Sequence, residues 1–114
     1  MSNEYKDYLD DILNSLIKIE QFVEGMTFED FKVDDKTIFA VIRAFEIIGE
    51  ASKSVPQAIK DKNSQIPWRE MAGMRDKLIH EYFGVDLKVV WDTIKNDIPN
   101  IKTDIAKMID EIEE

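Results

Sequence analysis

YKDYLDDILNSLIKIEQFV, residues 5–23, decides the fold. Tyr5, Leu9, Ile12, Leu16, Ile19 and Val23 recur at steps of three and four, which draws one apolar stripe along a helix. Tyr8, Leu13, Ile17 and Phe22 widen the stripe, so this helix can meet more than one neighbour. It is predicted to run from Asn3 to Gly25, with Gly25 as its natural stop.

The same period continues downstream. Thr27 to Phe31 reads as a short turn, with Thr27 able to cap it and Asp30 at the reciprocal position. A second helix starts at Asp34 or Asp35 and runs to Ser54. Ile38, Val41, Phe45, Ile48 and Ser52 form its inner stripe, flanked by Ile42 and Ile47. Ser54-Val55-Pro56 reads as a break and a restart, since proline is tolerated in a first helical turn. Asp61 to Pro67 is a polar loop leading into a third helix, Trp68 to Phe83. Trp68, Met71, Met74 or Arg75, Leu78 and Tyr82 mark one side of that helix, and Gly84 ends it. Asp86 can cap a fourth helix with the stripe Leu87, Val90, Trp91, Ile94, Ile98, Ile101, Ile105, Met108 and Ile112. Pro99 either opens a new helix after Asp97 or kinks one long helix. The acidic end, Asp110 to Glu114, is expected to fray.

Amphipathic helices with short connections predict an all-α fold, an antiparallel four-to-five-helix bundle. At 114 residues the chain is expected to be one domain, residues 1–114. The isoleucine-rich outer positions of the first and last helices exceed what one small core needs, which points to a homodimer.

Composition narrows the function. The net charge of -9 argues against a general nucleic-acid coat protein. It leaves room for an enzyme holding a few phosphates in a local basic pocket, or for a basic protein partner. The absence of cysteine excludes disulfides and thiolate metal sites. Gly-rich phosphate loops, GxSxG and HExxH are absent, and a single histidine cannot build a multi-histidine site; no cofactor or metal is expected. No apolar run approaches a membrane span, and the acidic start lacks the pattern of a signal peptide, so a cytoplasmic location away from membranes is expected.

One segment gathers the chemistry: Arg75-Asp-Lys-Leu-Ile-His80-Glu-Tyr82. Arg75 and Tyr82 are about two turns apart and share a face, whereas His80 is turned about 140° from Arg75 on a regular helix. Arg75 and His80 can flank one groove if the helix loosens before Gly84 or if a second subunit supplies the opposite wall. A histidine near a helix C-terminus is also commonly a capping or surface residue. Arg43, Glu46 and Glu50 fall together on the second helix, either as solvated charge pairs or as a partly buried network facing Arg75.

With its flanks, RDKLIHEY resembles the signature of HepT-like proteins of the HEPN superfamily: arginine, four residues, histidine, one residue, tyrosine. IRAFEIIGEASK (Ile42–Lys53), IPWREMAGMRDKLIHEYFGVD (Ile66–Asp86) and VVWDTIKNDIPNIK (Val89–Lys102) are similar to the same family, so the likeness covers nearly the whole chain. The resemblance implies a metal-independent endoribonuclease toxin, homodimeric, with two motif copies in a shared cleft. It implies a nucleotidyltransferase antitoxin, MntA, as partner, and RNA as substrate. By position it makes Arg75 and His80 the ribonuclease residues and Tyr82 the residue silenced by adenylylation. Neutral histidine can take the proton of the 2'-hydroxyl beside the scissile phosphate, and arginine can hold that phosphate through its planar fork. Lys77 can help draw in the RNA backbone, or be an ordinary solvated lysine. The alternative is a regulatory subunit of the nucleotidyltransferase pair that binds a nucleotide or a protein and cuts nothing.

Overall fold

In the computed structural model the first apolar stripe becomes α1 (Tyr5–Phe22), and its widened face is used twice: α1 packs on α3 (Asp35–Ser54) and on α7 (Ile98–Glu113). Leu9, Ile12, Leu16, Ile19 and Val23 are all buried, as their spacing predicts. The structure describes residues 5–80 and 86–113, with the backbone helix alone for residues 75–80. Among the described residues the remaining elements are α2 (Phe28–Phe31), α4 (Gln57–Lys62), α5 (Trp68–His80) and α6 (Leu87–Asn96), giving seven helices and no strand.

The caps are local and follow the sequence. Thr27 and Asp30 form the expected capping box: the Asp30 backbone N–H donates to Thr27 Oγ1 at 3.2 Å, and the Thr27 N–H donates to Asp30 Oδ2 at 3.0 Å. Asp34 caps α3 by accepting from the Thr37 N–H at 3.0 Å. Asp86 caps α6 through the N–H groups of Lys88 and Val89. Gly25 turns the chain with φ 77°, a conformation that costs glycine little and other residues more. The α1 helix itself stops earlier than Gly25, at Phe22.

Several expectations change in detail. Asp61 and Lys62 are not loop: they end α4, which restarts at Gln57 after Pro56 and is tied by a Gln57–Asp61 hydrogen bond of 2.9 Å. Of the two readings of Pro99, the separate helix is found. The α6 helix ends at Asn96 with Asp97 as its C-cap, the Asp97 N–H still donating to the Thr93 carbonyl, and α7 begins at Ile98 with Pro99 in its first turn, where a missing N–H is harmless. The acidic C-terminal turn stays helical through Glu113. Lys6 holds it, 3.0 Å from Asp10 and 3.3 Å from Glu113, and these two hydrogen bonds raise the Lys6 pKa. The predicted end of the third helix at Phe83 and its stop at Gly84 lie outside the described residues.

Lys6 with Glu113 at one end and Glu20 with Lys102 at 2.6 Å at the other make α1 and α7 antiparallel. Ile12, Ile19, Ile98, Ile101, Ile105 and Ile109 are all buried within the one chain, so the expected isoleucine surplus on the first and last helices is largely consumed by its own core. Among the described residues the large apolar side chains left to solvent are instead Val33 and Phe39, 75% and 57% exposed, with smaller contributions from Tyr8, Phe22 and Val89. No described helix is long and apolar enough to cross a membrane.

Candidate functional site

Arg75 and His80 of the motif sit on α5, and the start of that helix is firmly seated. Ile66, Trp68 and Met71 are buried, the Trp68 indole N–H donates to the Asn63 carbonyl at 3.0 Å, and the helix packs on α3. The regular helix then continues through His80. Position 75 follows Met71 by one turn and lies about 40° from it around the helix axis. Position 80 lies about 180° from Met71, on the other side. The helix is regular from Arg75 to His80, and a loosening between His80 and Gly84 lies outside the described residues. Lys77 also lies on this stretch of α5. Tyr82 lies outside the described residues.

Arg43, Glu46 and Glu50 come from the outward side of α3. The Arg43 guanidinium is 3.6 Å from Glu46, with the arginine side chain 69% exposed and the glutamate 27% exposed. A pair of that length and exposure is worth roughly 0–1 kcal/mol. Arg43 and Glu50 also line a shallow groove with Tyr8 and Asp11 of α1. Any approach of this group to Arg75 lies outside the described residues.

A second gathering of charge is not visible in the linear motif. Phe28 and Phe31 of α2 pack on Trp91 of α6, with ring centroids 6.3 and 5.4 Å apart. Lysine ammoniums ride on this cluster: Lys88 lies 5.0 Å and Lys32 5.8 Å from the Phe28 ring centre, and Lys95 lies 4.8 Å from that of Trp91. The spacing Lys88, Trp91, Lys95 puts all three on one helix stripe and was the available signal. Lys32 and Lys88 are also ion-paired with Glu29 and Asp92, which lowers the net positive field of the patch.

Comparison with known proteins bears on what this arrangement does. The "Probable ribonuclease HepT" of Thermococcus cleftensis is 56% identical over 108 residues, covering 95% of this chain and 98% of its own. A Methanocaldococcus jannaschii protein provisionally named an RNase is 48% identical over 112 residues, covering 97% and 96%. Another, from Caldanaerobacter subterraneus, also provisionally named an RNase, is 43% identical over 104 residues, covering 91% and 93%. No solved structure is significantly similar to the chain. The model of the family described as Ribonuclease HepT-like matches residues 12–108, from the second turn of α1 to the last turns of α7 with the whole of α5 between them, and the chain belongs to that family.

Proposed function

We propose that this chain, acting as a single domain, is a metal-independent endoribonuclease, the toxin of a toxin–antitoxin pair. The observation that carries the reading is the Arg75–His80–Tyr82 spacing in the sequence, with Arg75 and His80 on the C-terminal part of a well-anchored α5, in a chain whose relatives bear ribonuclease names. His80 takes the proton from the 2'-hydroxyl. The 2'-oxygen then bonds to phosphorus, and the bond from phosphorus to the 5'-oxygen breaks. The products are a 2',3'-cyclic phosphate and a 5'-hydroxyl. Arg75 holds the phosphate and stabilises the charge that develops on it. The leaving oxygen takes its proton from solvent or from the partner subunit's His80.

The second source makes the homodimer part of the mechanism. It agrees with positions 75 and 80 facing apart on one helix, which favours an opposite wall from a second copy. In this reading Arg43, Glu46 and Glu50 support the motif helix, Lys77 contacts the RNA backbone, and a nucleotidyltransferase of the MntA type silences the enzyme by adenylylating Tyr82. The test is cleavage of RNA by purified protein with and without a chelator. The wild type is expected to cut equally in both, and His80→Ala is expected to lose about 10²–10⁴-fold in rate while keeping its helical content. Cleavage that depends on added divalent metal would overturn the mechanism.

A further inference from the structure

A cleft of about 590 Å³ runs along α5 toward the junction of α6 and α7. Its floor is the core itself: Leu16, Phe45, Ile48, Met71, Ile98 and Ile101, all buried residues from four helices. Its rim is acidic. Glu70 from α5, Asp97 between α6 and α7, and Asp104 from α7 line the opening, and no lysine or arginine is among the described lining residues. None of these three carboxylates enters an ion pair among the described residues. Among the described residues, an apolar floor with an acidic rim repels RNA phosphate and suits a ligand with apolar anchors and flanking positive charge.

We infer that this cleft docks an amphipathic helix of a partner protein, with apolar side chains on one face and lysine or arginine along its flanks. The volume falls in the range of ~300–1,000 Å³ typical of binding clefts and holds the anchor side chains of a helix lying across it. Met71 and Met74, unbranched and adaptable, line the wall nearest the motif. Gly73 and Met74 lead directly into Arg75 on the same helix, so a helix seated here presses on α5 one turn ahead of the motif. That consequence for cleavage rests on the ribonuclease reading; the docking itself does not.

The test uses the full chain and two synthetic amphipathic peptides of about four helical turns. Both carry the same leucine stripe; one has lysine at the flanking positions, the other glutamate. Calorimetric titration is expected to show binding of the lysine peptide alone. Glu70→Lys with Asp104→Lys should weaken that binding at least about tenfold and shift preference to the glutamate peptide. Gly73→Leu should weaken it as well. A Cβ at this cleft-lining position meets nothing within 4 Å, so the added side chain enters the open space without disturbing the helix. Equal binding of both peptides, unchanged binding by the variants, or no binding would overturn the proposal. So would a wild-type dimer that Gly73→Leu converts to monomer by light scattering, because the cleft would then be covered by a second copy. RNA cleavage without peptide is measured in parallel: its absence defeats the ribonuclease reading alone, and lost docking with intact cleavage defeats this inference alone.

Discussion

At Arg75 the proposed chemistry depends on shape as much as on charge. A guanidinium offers a planar fork that matches two phosphate oxygens, while an ammonium offers a point charge. Arg75→Lys is therefore expected to lower RNA cleavage by about 10²–10³-fold, the scale of losing one aligned donor to a developing oxyanion, with little change in stability. Single-turnover cleavage beside a chemical unfolding curve checks both halves. The part proposed for Tyr82 is different. A phenol with a pKa near 10 is a poor base at neutral pH, but its hydroxyl is a workable acceptor for an adenylyl group. Tyr82→Phe should keep cleavage and resist silencing by the nucleotidyltransferase with ATP and magnesium. Mass spectrometry should place the adenylyl group on the wild-type peptide containing Tyr82. Silencing of the phenylalanine variant as complete as that of wild type would remove Tyr82 as the switch. The spacing of these residues is legible in sequence because it is local. What surrounds them is not: the groove beside Arg43 needs Tyr8 and Asp11, which α1 brings from more than thirty residues away.

At the scale of elements, legibility follows the range of the forces. Thr27, Asp34 and Asp86 cap helices through backbone groups two or three residues away, so their roles can be read directly from order in the chain. Asp34→Ala should accordingly cost about 1 kcal/mol by loss of the bond to the Thr37 N–H, read as a lower denaturation midpoint with an unchanged slope. The restart after Pro56 is legible, but the extent of α4 through Lys62 is not, because this helix buries no residue fully and so shows no strong apolar stripe; short-range contacts hold it. Pro99 is compatible with a kink or a start, and it has no N–H with which to continue the hydrogen-bond ladder of the preceding helix. The cleft floor is the opposite extreme. Leu16, Ile48 and Ile101 meet there only after three helices have packed, and no window of sequence contains all three.

For the molecule as a whole, the wide stripe on α1 is spent on two neighbours in the same chain, α3 and α7. A homodimer must therefore draw on other surface, and on the geometry of α5, where positions 75 and 80 face apart. Light scattering over a dilution series is expected to give twice the 13.3 kDa chain mass at micromolar concentration. A stable monomer that still cleaves RNA would rule out a shared cleft. The placement of the two tryptophans has an optical consequence. Trp68 opens the motif helix with its indole N–H bonded to Asn63, and Trp91 is wedged between Phe28 and Phe31 with Lys95 over its ring. Both indoles are shielded from water, so the native chain should emit at short wavelength. Replacing Trp91 with phenylalanine would leave a single tryptophan at the root of α5, and its emission, excited selectively beyond the tyrosine band, would report movement of that helix without any attached dye.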